Sequence, residues 1–169
     1  VKKINSNYFL LAERRTFICQ IGEGGLKEAS LKREGDKVTP TGKWRFLSVY
    51  YRNDRVSKPR LKKNIKIKKI TKNCCWCDDI NSNFYNKYVK INSFSSNKIG
   101  HENLWREDNA YDLIVIISHN FKPTLKNKGS AIFIHCSFPD KRQTFGCVAL
   151  KMRDLCFLLN NVRKNQYII

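Results

Sequence analysis

No apolar run in this 169-residue chain approaches the roughly 18 residues that a membrane-spanning helix needs; the longest, such as Leu113 to Ile117, have the size of single strands. A helical membrane protein is therefore excluded. The apolar stretch from Tyr8 to Ala12 is also too short for the core of a secretory leader, and Glu13-Arg14-Arg15 ends it, so no signal peptide is visible. With four prolines, no Pro- or Ser-rich linker and no internal repeat, one domain spanning residues 1–169 is expected. Paired zinc clusters are missing too. Cys74-Cys75-Trp76-Cys77 holds one C-x-x-C pair, which His135 or Cys136 would have to complete, and no metal or other cofactor is expected.

Acidic residues are the scarcest class relative to their counterpart: 14 Asp and Glu against 33 Lys and Arg leave a formal charge of +19. Such a surface attracts anions, whether nucleic acid, acidic lipid or an anionic wall polymer. However, 22 Lys, 17 Asn and 16 Ile make up a third of the chain, the composition an AT-rich genome produces, so charge names no partner. Ten basic residues and only Asp54 as an acid fall between Arg52 and Lys72. Seven cysteines are an odd set for a disulfide scaffold, although a Cys74–Cys77 bridge is open in an oxidising compartment. The 20 aromatic residues and 41% hydrophobic content are enough for a buried core.

The patterning is mostly β. Tyr8 to Ile21 reads as strand material, Gly22 to Gly25 as a turn, and Trp44 to Tyr51 alternates as a strand does. Ile65-Lys66-Ile67-Lys68 has period 2 with its lysines outward. Leu113–Ser118 and Ala131–His135 are β-branched, short and bounded by Gly, Pro or Asn, as central strands buried on both faces are. Helical spacing occurs only near the end, at Met152, Leu155, Leu158 or Leu159, and Val162.

Three histidines can be weighed singly. His101 falls in a polar segment and reads as solvated, whereas His119 and His135 each close a buried strand. The segment HCSFPDKRQTFGCVAL, from His135 to Leu150, sets Gly146 directly before Cys147. Glycine lets the backbone turn sharply and leaves space beside the sulfur. The amides of Gly146 and Cys147 suit an oxyanion, and a histidine in reach can take the thiol proton or pair with the thiolate and depress its pKa. Cys19 and Cys156 read as buried packing cysteines.

These residues resemble the L,D-transpeptidase catalytic domain (the YkuD-like family), whose motif is a histidine, a spacer, Ser or Thr, any residue, Gly-Cys and an aliphatic residue. Here that is His135, then Thr144-Phe145-Gly146-Cys147-Val148. Lys32 to Asp36, Thr39-Pro40-Thr41-Gly42, WCDD at 76–79, LWREDNAYDL at 104–113, SHN at 118–120 and GSAIFIH at 129–135 are similar to a short, single-domain α-proteobacterial branch. The resemblance implies a β-sandwich with a helix after the catalytic cysteine. It also implies a thioester acyl-enzyme on a peptidoglycan stem peptide, resolved by an amine of a second stem. Cys147 would be the nucleophile, His135 the general base, Gly146 an oxyanion donor and Thr144 a brace for the loop.

The departures from the pattern are Phe145 where His or Arg is frequent, Ala149 where Arg or Asn is, Cys136 after the histidine, and a short spacer. They leave open whether the third (diaminopimelate) or the first (L-Ala) stem residue is the donor. His119 and Asn120 are expected to fill the gap, His119 by orienting His135 or binding a substrate carboxylate. Arg106, Trp105 and Asp112 are expected to line the cleft, Arg106 binding a stem carboxylate through its planar fork. Peptidoglycan stems are the expected partners, with no obligatory nucleic acid. A monomer in the periplasm is expected, because the substrate lies outside the inner membrane. The rivals are an L,D-carboxypeptidase or amidase with the same site, and a non-catalytic basic module that binds wall or nucleic acid.

Overall fold

The computed structural model describes residues 1–12, 15–61, 65–91, 99–140, 142–161 and 167–168. Glu13, Arg14, Lys62, Lys63 and Val162, which entered the sequence reading, lie outside them. The strands are β1 (Lys2–Ile4), β2 (Asn7–Ala12), β3 (Arg15–Gln20), β4 (Leu26–Glu28), β5 (Thr39–Thr41), β6 (Trp44–Tyr51) and β7 (Lys66–Lys69). They continue with β8 (Cys74–Cys77), β9 (Tyr88–Lys90), β10 (His101–Asn103), β11 (Leu113–Ile117), β12 (Phe133–Cys136), β13 (Val148–Leu150) and β14 (Tyr167–Ile168), with α1 at Met152–Asn161. The fold is mostly β, a β-sandwich with one helix after Cys147, as expected.

The main sheet runs β1-β2-β3-β13-β12-β11-β6-β14, with β7 also paired to β6. Its central strands are buried on both faces, which is why their sequence reads as continuous β-branched runs rather than as alternation. The alternation reappears in what each side chain meets. Leu113, Val115, Ile117, Ile132, Ile134, Val148 and Leu150 face the helix and pack with Leu155, Leu158 and Leu159. Ile114, Ile116 and Phe133 face the other way, against Trp76 and Cys74 of the small sheet β10-β8-β9. Trp76 meets Phe133 edge to face at 5.1 Å.

The strand material expected over Tyr8–Ile21 forms β2 and β3, which pair antiparallel, but one sequence expectation changes. Cys74 and Cys77 both lie in β8, three residues apart, so their side chains leave opposite faces of the strand about 10 Å apart and cannot bridge. All seven cysteines are free thiols. Among the described residues no helix is long and apolar enough to cross a membrane, and no group of three or more His, Cys, Asp or Glu could hold a metal ion.

One connection positions the site. β12 and β13 are parallel neighbours, so the chain must return from the end of β12 to the start of β13 before it can pair. Phe138 and Cys147 of that return pack on the Trp76 side, and the Gly22–Thr144 bridge pins Thr144 to the turn after β3. Gly22 admits this close approach, since a Cβ there would meet the Lys37 carbonyl oxygen at 2.0 Å and Gly146 Cα at 2.9 Å.

Candidate active site

Period 2 along β12 puts Phe133 and His135 on the same face, about 6.6 Å apart along the strand. The returning loop brings Cys147 to the Phe133 end, where Sγ accepts the Phe133 N–H at 3.3 Å and donates to the Ala131 carbonyl at 3.1 Å. Cys147 and His135 both line a cavity of about 750 Å³. His135 Nδ1 donates to the Cys136 carbonyl at 2.8 Å, so the unprotonated nitrogen is Nε2. The Tyr111 ring packs edge-on to the imidazole at 5.2 Å and Phe138 does so at 5.7 Å.

This packing sets the charge state. Burial, and after it the Glu102 carboxylate, pushes the Cys147 thiol up to about 12. Burial pushes His135 down to about 4. At neutral pH the two groups are a neutral thiol and a neutral imidazole lining one cavity, not the thiolate–imidazolium pair that the sequence left open. Tyr111 donates to Glu102, and Arg106 ties Asp108 and Glu102 to the same wall.

Hydroxyls hold the turn that presents Cys147. Thr144 Oγ1 donates to the Cys147 carbonyl at 2.6 Å and accepts the Gly146 N–H at 3.2 Å. Thr39 Oγ1 donates to the Gly146 carbonyl and accepts the Gly22 N–H, both at 2.8 Å. Gly146 has φ +130, and a Cβ there would meet Val38 O and Ile132 Cδ1 at 3.0 Å, so only glycine fits. Thr39→Val removes two of these buried bonds. It should lower the unfolding free energy by about 2–3 kcal/mol, read in urea titrations, and a loss below about 0.5 kcal/mol would show that the bonds are replaced.

The structure brings Cys147, Gly146, His135, Thr144 and Arg106 together, with Thr144, Arg106, His135 and Cys147 all lining the cavity. It does not bring the others there. β11 and β12 are antiparallel, with His135 opposite Ile114, so His119 follows the far end of β11. There its Nε2 donates to the Lys128 carbonyl and its ring packs on Trp44. Asn120 braces its own loop through Leu125 and Gly129. Trp105 lies 3.4 Å beneath the Arg52 guanidinium, and Asp112 pairs with Arg55. Two cations of the basic stretch are therefore engaged internally.

Conversely, His101 belongs to β10 and lines the cavity instead of standing in solvent, as do Glu34, Asp78, Glu102, Tyr111 and Ser130. Asp78, Tyr111 and Ser130 fall in the WCDD, LWREDNAYDL and GSAIFIH motifs and Glu34 in the Lys32–Asp36 stretch, whereas no motif marks His101 or Glu102. Ala131 holds φ +50, a conformation costly for a residue with a Cβ, where its amide donates to Asn86 and its carbonyl accepts the Cys147 thiol. Nothing in the sequence announces it.

Residues 10–169 match the family model of YkuD, the L,D-transpeptidase catalytic domain. No curated protein and no solved structure matches the chain.

Proposed function

Since the chain belongs to the YkuD family of L,D-transpeptidase catalytic domains, we propose that it cross-links peptidoglycan stem peptides through a thioester on Cys147. The observation that carries this reading is the shared cavity. One nucleophile and one oriented, unprotonated imidazole line it, and its volume of about 750 Å³ suits a peptide.

In this reading the Cys147 thiol gives its proton to His135 Nε2 as sulfur attacks the stem carbonyl carbon. Charge developing on the carbonyl oxygen needs an amide donor. The Gly146 N–H already serves Thr144, which leaves the Cys147 N–H for this role. His135 then protonates the leaving amine, and the C–N bond breaks to give the thioester. An amine of a second stem attacks it, forming the new amide and restoring the thiol. Arg106 and Arg142 line the cavity and share Asp108, with Glu102 also on Arg106 and Asp140 also on Arg142, so a stem carboxylate binds a guanidinium here by displacing one of these partners. The substrate places this work in the periplasm.

Incubation with tetra- and pentapeptide muropeptides, read by mass spectrometry for wild type and Cys147→Ala, tests this. Expected are dimers and an acyl adduct on the wild type and neither on the variant. Fragment ions then assign the donor to the third or the first stem residue. Loss of a terminal residue without dimers makes the protein a carboxypeptidase. Absence of both product and adduct overturns the enzyme reading for this substrate and leaves the basic wall-binding module.

A further inference from the structure

A chain with only 14 acidic residues places four of them, Glu23, Glu34, Asp78 and Glu102, on one cavity. Two are already matched by cations, Glu23 by Lys37 at 2.7 Å and Glu102 by Arg106 at 3.6 Å. Glu34 and Asp78 are not. Glu34 accepts from the Tyr85 hydroxyl, and among the described residues neither carboxylate pairs with a Lys or Arg, although the chain has 33 of them. Glu34 is among the groups that hold the Asp78 carboxyl above its ordinary value, after burial, while His101 acts in the opposite sense.

A second observation points to a ligand. Ser130 lines the same cavity, is only 6% exposed, and its hydroxyl has no hydrogen-bond partner. A buried hydroxyl without a partner is disfavoured by about 1–3 kcal/mol unless something satisfies it. Its position joins the two regions. Tyr85, the Glu34 donor, lies beside Ser130, and the next residue, Ala131, supplies the carbonyl that contacts the Cys147 thiol.

We propose that Glu34, Asp78 and the Ser130 hydroxyl form the subsite for the primary ammonium of the acceptor stem peptide, on the wall that adjoins Cys147. The inference rests on the reading of Cys147 as the acyl-enzyme nucleophile. An ammonium brings three N–H donors and one positive charge, and this wall offers two carboxylates and a hydroxyl as acceptors. It satisfies Ser130 and relieves the repulsion between the two carboxylates in one step. The ammonium gives one proton to the Asp78 carboxylate, the neutral amine so formed attacks the thioester carbonyl, and its second proton passes through His135 to the departing sulfur. Water carries no charge and gains less from the wall, so the subsite favours amine over water as the group that resolves the thioester.

The test uses the full chain and one muropeptide as donor and acceptor, comparing wild type with Asp78→Asn and with Glu34→Gln/Asp78→Asn. The reading is the ratio of cross-linked dimer to hydrolysed stem. Both products arise from one acyl-enzyme, so the ratio does not depend on how fast that intermediate forms. The double variant should lower the ratio at least about tenfold, the effect of removing charge-assisted bonds to one ammonium, and Asp78→Asn should lower it less. A ratio within twofold of wild type in both variants overturns the proposal. So does loss of the acyl adduct in Asp78→Asn while wild type retains it, because the wall would then serve the donor. No adduct on the wild type overturns the nucleophile reading itself, and intact mass separates that result from the others.

Discussion

In His135→Asn, formation of the acyl adduct on Cys147 is expected to fall by about 10²–10⁴-fold, the range that positioned general bases contribute. The size follows from the packing. With the thiol at about 12, only about one molecule in 10⁵ carries a thiolate at pH 7, so the reaction depends on proton removal during attack. His135, at about 4, is a free base through the whole neutral range. The acylation rate of wild type should therefore be flat from about pH 6 to 8. It should fall in acid as the imidazole protonates near pH 4. A stored thiolate–imidazolium pair would behave differently, with rapid alkylation of Cys147 at neutral pH and a bell-shaped profile. Rates of adduct formation across pH for both proteins decide the matter; an Asn variant within tenfold of wild type would falsify the base assignment.

The fold and the site were legible to different depths, for physical reasons. Trp44–Tyr51 and Leu113–Ile117 declare themselves because strand residues follow a local rule of period and β-branching. The same rule puts His135 on the Phe133 face, since it needs only parity. What failed was the step from strand ends to a shared cleft. His119 and His135 each close a strand, but antiparallel pairing sends their ends to opposite edges, and pairing direction is a long-range property that neither segment encodes. Cys74–Cys77 misleads in reverse: a spacing that suits a loop becomes two opposite faces once the segment is a strand. Tyr111 and Asp78 stayed unremarked because the groups that act on them, Glu102 and Glu34, come from other strands and turns.

The departures from the family pattern also acquire reasons. Ala149 is fully buried opposite His135 in the parallel ladder and has no room for a polar group. Phe145 is 73% exposed on the cavity rim with Lys37 Nζ 4.8 Å from its ring centre, so it shapes the entrance without touching the chemistry. Cys136 contributes its carbonyl to His135, a role any side chain permits, while its sulfur packs against Met152 in the helix-facing core.

The desolvation that keeps His135 neutral should also make the fold acid-sensitive. Burial lowers both His135 and His119 to about 4, against an ordinary 6.5 in the unfolded chain. Between those values the unfolded state binds the protons and the folded state does not. Stability is therefore complete above pH 6.5 and falls as pH drops towards 4. Each histidine accounts for about 3 kcal/mol over that window, from a shift of about 2.5 units at 1.36 kcal/mol per unit, a large share of a typical domain's 5–15 kcal/mol. The buried carboxyls of Asp78, Glu102 and Asp112 act in the opposite sense, because burial raises them and the folded state takes up their protons first. Their contribution cancels when wild type is compared with His119→Asn, since none of the three is among the groups whose charge acts on His119, which are Lys32, Glu34 and Asp36. Urea titrations at pH 7, 6, 5 and 4.5 should show the variant less stable at neutral pH but with a shallower decline, by about 1.4 kcal/mol per pH unit, one proton's worth. Parallel declines in the two proteins would mean that His119 is solvated and protonated in the folded state, and the burial that lowers it would have to be abandoned.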